Sequence, residues 1–253
     1  MAPASPPIAI AELRRWLERA ESHGPAAGTV LPFGIPALDN HLPNGGLSLG
    51  HLHEVIESGT AGEYAGLATL FTAGILARLS GPVLWCLRGR DLFAPALARI
   101  GLHPDRVIYC ETWNDRDVLP AMEEGLRCAG LAGVVGEVTK LSLTASRRLQ
   151  LCSGQSGVTA LVLRRWRNTT EKKFAGEPNA AATRWRVTPS PSPAGEFDGL
   201  QRQLWQVELL RLRGGEPHSW ILEACNAEGY LALPAALAER PAAAGEQRRV
   251  AAG

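Results

Sequence analysis

The sequence lacks the features that mark several classes of protein. Among its 253 residues no run is apolar for long enough to cross a bilayer, and residues 1–7 lack the basic start and apolar core of a secretory signal. The formal net charge is only +1, so the chain as a whole has no strong electrostatic attraction to nucleic acid or to membranes. These absences predict a cytoplasmic protein with no membrane contact.

Cysteine is scarce and is not arranged for zinc. The five cysteines form no Cys-x-x-Cys pair, and none clusters with histidine at the spacing of a zinc site. Their neighbours are mostly apolar, as in Leu84-Trp85-Cys86-Leu87. We therefore expect reduced thiols buried in a cytosolic protein, and no metal site.

Apolar segments alternate with amphipathic ones through residues 51–163. The pattern predicts strands at 51–56, 82–87, 106–110, 133–138 and 158–163, and helices at 63–79, 94–100, 115–130 and 142–153. Strands that are apolar on both faces are typical of a parallel sheet covered by helices. The sequence therefore predicts an α/β fold with a mostly parallel sheet flanked by helices.

Three regions are expected along the chain. Residues 1–30 hold a disordered start and an amphipathic helix, which packs either on the main domain or on a partner. Residues 31–223 form the main domain, with a basic loop at 164–187 and a terminal hairpin at 204–223. Residues 224–253 form a tail that we expect to be largely disordered, because its end is rich in alanine, glycine and arginine.

A small-residue loop follows the first predicted strand and precedes a helix, which is the setting of a phosphate-binding loop. That loop reads Gly-x-x-x-x-Gly-Lys-Ser/Thr, with the lysine at the phosphates and the hydroxyl at Mg²⁺. The corresponding positions here hold Glu57, Gly62, Glu63 and Tyr64. Carboxylates in those places would repel a triphosphate. An ordinary turn has the same composition, so the loop alone leaves both interpretations open.

The flanking sequence favours a degenerate nucleotide site. The segment 33–55, with its Gly45-Gly46 pair and Glu54, resembles the lead-in to the ATP site of RecA-type recombinases. The resemblance continues to about residue 165 and so covers somewhat over half of the chain. The altered loop and the segments 183–187 and 205–215 are more similar still to the ImuA family, RecA-like proteins of bacterial damage-inducible mutagenesis.

The resemblance implies a RecA-like fold of the P-loop NTPase type that has lost its ATPase chemistry. The position of the catalytic glutamate falls on Gly89. The Walker B carboxylate corresponds to Glu137, whose role is either structural or a vestige of metal binding. We therefore expect no catalytic residue, no cofactor and no metal, and a protein that is not an enzyme.

The same resemblance implies a function and partners. ImuA-like proteins act in error-prone translesion DNA synthesis during the SOS response, with an inactive Y-family-polymerase-like protein and an error-prone polymerase. The chain is therefore expected to be a non-catalytic adaptor, with RecA and single-stranded DNA as further candidate partners. Two alternatives are an SOS cell-division inhibitor-like protein and a weakly active RecA-like, DNA-dependent ATPase.

The basic segment 164–186 is predicted to contact DNA or a partner. It holds seven basic residues against two acidic ones, with tryptophans interleaved, and cations beside aromatic rings are typical of single-strand binders. Two other interpretations are a solvated loop with its tryptophans in the core, and a surface for a protein partner. The residues expected to make the contact are Arg164, Arg165, Trp166, Arg167, Lys172, Lys173, Arg184, Trp185 and Arg186.

Overall fold

An eight-stranded sheet forms the centre of the computed structural model, which describes residues 29–59, 64–89, 91–166, 176–191 and 202–234. A separate two-stranded sheet joins β1 (Val30–Leu31) and β2 (Leu47–Ser48). The strands of the main sheet are β3 (Leu52–Glu57), β4 (Val83–Leu87), β5 (Val107–Glu111), β6 (Gly133–Val138), β7 (Thr159–Arg164), β8 (Thr183–Ser190), β9 (Leu204–Leu212) and β10 (His218–Glu223).

The main sheet is mostly parallel. Its strands lie in the order β5-β4-β6-β7-β3-β8-β9-β10, and the pairs from β5 to β8 are all parallel. β9 and β10 are antiparallel to their neighbours and form a hairpin at one edge. Every residue of β3, β4, β6 and β7 is buried, as expected of central strands covered on both faces.

Helices connect successive parallel strands of the main sheet, and one further helix lies between β1 and β2. They are α1 (Pro36–Asp39), α2 (Ala65–Ala77), α3 (Ala94–Ala98), α4 (Asp115–Leu126) and α5 (Leu143–Ser156). Local sequence sets two of the helix starts, because the Asn114 side chain caps α4 and the Ser142 side chain caps α5. α5 ends at Gly157, whose φ of 78° lies in the left-handed region that glycine adopts without strain.

The helices cover both faces of the sheet and bury one core on each. On the first face, α2 and α3 pack with Trp85 and Trp185. On the second face, α4 and α5 pack with Leu52 and Leu84. The α/β class and the mostly parallel sheet flanked by helices are thus confirmed, and the architecture is compatible with a RecA-like fold.

The predicted basic loop at 164–187 needs correction. Arg164 is the last residue of β7, and the segment from Thr183 onward belongs to β8, which pairs with both β3 and β9. The charges of Arg184 and Arg186 suggested a loop, but Trp185 and Val187 alternate with them and are fully buried. This period of two is the pattern of a strand.

The predicted boundary of the C-terminal tail is also wrong. Glu223 forms a β-bridge with Ala232, and Leu231 is buried in the first core. Residues 224–234 therefore belong to the folded domain, because apolar side chains in this segment pack on α2 and on the sheet. Residues 235–253 and the helix predicted over 8–22 lie outside the described residues.

Candidate functional site

A cleft of about 580 Å³ opens where the parallel strands end. In open α/β sheets, ligands bind in crevices outside the carboxyl ends of the strands. β3, β4, β6 and β7 all contribute side chains to this cleft, directly or through the residues that follow them. The lining residues are Glu57, Arg88, Gly89, Asp91, Asp115, Glu137, Val138, Thr139, Arg165 and Trp166.

One arginine joins three carboxylates inside the cleft. The Nε of Arg165 donates to Oε1 of Glu57 at 3.0 Å, and its Nη1 donates to Oε2 of Glu137 at 2.6 Å. Its Nη2 lies 2.9 Å from Oδ2 of Asp91. We call these four residues the Arg165 cluster. It connects β3, β6, the end of β7 and the segment after β4.

Burial strengthens the attraction between the charges of the Arg165 cluster. The side chains of Glu57 and Glu137 are 3% and 4% exposed, and that of Arg165 is 25% exposed. Burial alone would lower the pKa of Arg165. The charge of Glu137 and hydrogen bonds to Glu137 and Asp91 outweigh it, so the pKa lies above its usual value. Arg165 therefore remains a cation bound to carboxylates of its own chain.

The two glutamates are also held by tryptophans. The Trp166 backbone N–H donates to Oε2 of Glu57 at 3.3 Å, and the Trp85 indole N–H donates to Oε1 of Glu137 at 2.8 Å. Burial raises the pKa of Glu57, and the negative charge of Glu137 adds to this, against the opposing effects of Arg165 and Trp166. Glu57 and Glu137 thus have fixed positions and fixed partners.

The remaining motif positions have different outcomes. Tyr64 precedes α2, makes no side-chain capping hydrogen bond and packs against the first core, whereas Gly62 and Glu63 lie outside the described residues. Gly89 lines the cleft without a side chain, and Asp91, two residues later, supplies the third carboxylate of the Arg165 cluster. Sequence reasoning missed Asp91 because it lies beyond the position where a catalytic glutamate would fall.

A second ion cluster lies on the opposite face of the sheet, around Glu54. This carboxylate is fully buried and accepts hydrogen bonds from Arg164 Nη1 at 2.7 Å, Arg184 Nε at 2.5 Å and Asn179 Nδ2 at 2.7 Å. Burial lowers the pKa of Arg164, while the charge of Glu54 opposes that change. We call this the Glu54 cluster. It joins β3, β7 and β8 within the second core.

The residues predicted to contact DNA or a partner do not share one exposed surface. Arg164, Trp166, Arg184 and Trp185 are buried. The Trp185 ring lies 5.7 Å from Phe33 and 5.6 Å from Phe71, so it belongs to the first core. The expectation of an exposed contact is therefore wrong for these four residues, because ion pairs and core packing enclose their side chains.

The other predicted contact residues divide into two groups. Arg165 binds the cleft carboxylates, and Arg186 forms a two-pronged ion pair with Glu208 at 2.6 and 2.7 Å. Arg167, Lys172 and Lys173 lie outside the described residues. The structure therefore brings Arg165 into the cleft with Glu57 and Glu137. The sequence alone assigned Arg165 to the basic segment and the two glutamates to the degenerate nucleotide site.

Two kinds of feature are absent from the described residues. No helix among them has the length and apolar character needed to span a membrane. The same part of the chain contains no group of three or more histidine, cysteine, aspartate or glutamate side chains placed to hold a metal ion.

Comparison with known proteins gives a close relationship. The chain is 38% identical to Protein ImuA from two strains of Caulobacter vibrioides, over an alignment of 208 residues. This alignment covers 78% of the chain and 84% of each relative. No family model matches the chain.

Proposed function

Because the chain belongs to the ImuA family, we propose that it is a cytoplasmic, non-catalytic adaptor in damage-inducible mutagenesis. In this role it assembles with an inactive Y-family-polymerase-like protein and an error-prone polymerase during translesion synthesis. The observation that supports the adaptor role is the Arg165 cluster. Its carboxylates and its cation bind each other, whereas ATP hydrolysis requires a free cation at the phosphates and free ligands for Mg²⁺.

We take the cleft to be the remnant of a P-loop nucleotide site. β3 lies inside the sheet and leads through residues 58–64 into α2, the strand–loop–helix order of a phosphate loop. The cleft opens at the carboxyl end of β3, as a nucleotide site would. Glu57 therefore occupies the place of the first loop glycine, with its side chain inside the cleft.

The charges of the cleft oppose a phosphate ligand. Its described lining residues include four carboxylates and two guanidinium groups, an excess of two negative charges. The guanidinium of Arg165 forms ion pairs with three of these carboxylates. The guanidinium of Arg88 pairs with Asp115 at 3.2 Å. Since like charges in a partly buried site repel more strongly than in water, a triphosphate would be excluded.

Nucleotide binding tests the non-catalytic part of the proposal. We expect no saturable binding of a fluorescent ATP analogue, with or without Mg²⁺, and no phosphate release by the purified chain. Gly62→Val and Tyr64→Phe form an informative pair if any signal is seen. Binding that is lost in Gly62→Val but kept in Tyr64→Phe would reveal a working phosphate loop and support the ATPase alternative.

Partner capture tests the adaptor part. A tagged chain, expressed at its natural level, is isolated from cells with and without DNA damage, and bound proteins are identified by mass spectrometry. We expect polymerase-type proteins in the damaged sample. Recovery of a cell-division protein in their place would contradict the proposal and support the division-inhibitor alternative.

A mutation-frequency assay connects the two parts. Deletion of the gene should lower the frequency of damage-induced mutations, and the wild-type chain should restore it. A Glu63→Ala variant should restore it equally, because the proposed role uses no nucleotide. A Glu63→Ala variant that folds but fails to restore mutagenesis would show that the loop has a direct function.

A further inference from the structure

Two cysteines lie side by side on neighbouring strands at one edge of the main sheet. Cys86 of β4 and Cys110 of β5 are directly opposite each other in the parallel register. Both side chains face the second core, where Cys86 is fully buried and Cys110 is partly buried. They therefore form a pair in which one residue is partly exposed and the other is enclosed.

The spacing of the pair suits a disulfide. Neighbouring strands lie about 4.8 Å apart, and disulfides join Cα atoms separated by about 4.4–6.8 Å. β5 is the edge strand and pairs with β4 alone among the described strands, so it can adjust when a bond forms. The change needed is thus local to one edge of the sheet.

The environment of Cys110 favours reactivity. The adjacent Cys86 thiol lowers the pKa of Cys110 to about 7, against the opposing effect of burial. A lowered pKa favours the thiolate, which is the nucleophilic form. Cys225 gives a contrast within the same chain, since burial raises its pKa to about 12 and it remains a thiol.

We propose that Cys86 and Cys110 form a reversible dithiol site that is oxidised by hydroperoxides. The Cys110 thiolate attacks one peroxide oxygen, the O–O bond breaks, and the leaving oxygen takes up a proton as an alcohol, or as water from hydrogen peroxide. Cys110 is then a sulfenic acid. The Cys86 sulfur attacks the Cys110 sulfur, the S–O bond breaks, and the hydroxyl leaves as water with the Cys86 proton.

The reaction balances with the hydroperoxide as the only oxidant. The two sulfurs lose two electrons, which reduce the O–O bond, and a small thiol reductant restores both cysteines. The disulfide would tie the end of β4 to the end of β5. Arg88 and Asp115, which pair across the mouth of the cleft, follow these two strands. Oxidation would therefore fix one wall of the cleft.

Peptide mapping of the full chain tests the site. The purified protein is treated with stoichiometric hydrogen peroxide, its free thiols are alkylated, and it is digested with trypsin. Cys86 and Cys110 fall in separate tryptic peptides, residues 79–88 and 107–116, each with one cysteine. We expect these two peptides joined and lighter by two hydrogens, and separated again after treatment with a thiol reductant.

Three serine variants give the controls. Cys86→Ser should leave Cys110 as a sulfenic acid that dimedone traps, and Cys110→Ser should leave Cys86 reduced and open to alkylation after unfolding. Cys152→Ser, at a partly buried position of α5, should cross-link as the wild type does. The proposal is overturned if wild-type Cys86 stays reduced while Cys110 is oxidised, or if Cys110 pairs instead with Cys128, Cys152 or Cys225. The wild-type peptide map decides this even where a variant fails to fold.

Discussion

Arg164 and Arg165 are consecutive in the chain, yet their guanidinium groups bind carboxylates on opposite faces of the sheet. Arg164 binds Glu54 within the second core, and Arg165 binds Glu57 in the cleft on the first face. Both partners come from β3, the parallel neighbour of β7. Because successive side chains of a strand point to opposite faces, two adjacent arginines hold the same strand from both sides.

Removal of Arg165 should destabilise the fold. In Arg165→Ala, Glu57 and Glu137 would remain buried without a cation, and breaking a buried pair in this way costs about 3 kcal/mol of unfolding free energy. Urea denaturation followed by circular dichroism measures this loss. Arg88→Ala is the matched control, because its pair with Asp115 lines the same cleft but is more exposed. It should cost less than about 1 kcal/mol. Equal losses in the two variants would show that the Arg165 cluster is not a stabilising unit.

His53 should make the fold sensitive to mild acid. It is fully buried, with hydrogen bonds to Thr183 and to the Ser48 carbonyl, and burial lowers its pKa to about 4. Between pH 6.5 and pH 4 the unfolded chain binds a proton at this residue and the folded chain does not. The free energy of unfolding therefore falls as the pH falls, by about 3 kcal/mol over this interval.

Unfolding titrations at several pH values measure the contribution of His53. The difference between the wild type and His53→Gln should shrink as the pH falls from 7 toward 4, because glutamine binds no proton. His103→Gln, at an exposed position, controls for the loss of an imidazole. A constant difference across this range would show that folding does not lower the pKa of His53.

Two glycines of α2 should respond in opposite directions to alanine. A Cβ at Gly74 would lie 2.5 Å from Cys225 Sγ and 3.2 Å from the Gly229 carbonyl, whereas a Cβ at Gly66 meets open space. Gly74→Ala should cost about 1–3 kcal/mol through overpacking, and Gly66→Ala should stabilise the helix by about 0.5–1 kcal/mol. Thermal melts of both variants measure the two effects. Two stabilising substitutions would mean that residues 224–234 do not pack on α2.

DNA binding should depend on the predicted contact residues that lie outside the described part of the chain. These are Arg167, Lys172 and Lys173, since the other predicted contact residues are buried or paired. The triple alanine variant should weaken single-strand binding and flatten its salt dependence, because each phosphate contact contributes to the slope. Fluorescence anisotropy at several salt concentrations measures both.

A second triple variant tests whether this effect is local. It removes the same charge at Arg99, Arg116 and Arg127, which are exposed residues of the described part of the chain. We expect it to bind DNA as the wild type does. Equal weakening in both triple variants would show that DNA binding depends only on the net charge of the chain. If the wild type does not bind DNA, a protein partner is the remaining ligand for this segment.

The sequence predicted the central part of the fold because its signals are local. Apolar strands followed by amphipathic helices are visible within short windows, and the strand at 133–138 was predicted with its observed bounds. β8 was mistaken for a loop because Arg184 and Arg186 read as solvated charges. Their partners, Glu54 and Glu208, come from other strands, and Glu54 lies 130 residues away from Arg184 in the chain.

The candidate site was predictable only in part, for the same reason. The phosphate-loop motif singled out Glu57, and the Walker B position singled out Glu137. Neither motif predicts an arginine at position 165 or an aspartate at position 91. From charge composition alone, Arg165 was assigned to a DNA-binding loop. A sequence shows that a cation is present, but it does not show which carboxylates surround that cation. The pairing becomes visible only when β3, β6 and β7 are brought side by side.

The Arg165 cluster also constrains how this chain can evolve. Glu57, Glu137 and Arg165 depend on one another, since loss of Arg165 leaves two buried carboxylates without their cation, and loss of either glutamate removes a buried partner of Arg165. A single substitution at one of these positions is therefore selected against, whereas a combined replacement can be neutral. Across related sequences we expect the three positions to covary as a block. Under the proposed function, a lysine introduced at position 63 alone should not create an ATP site, because this block would stay in place.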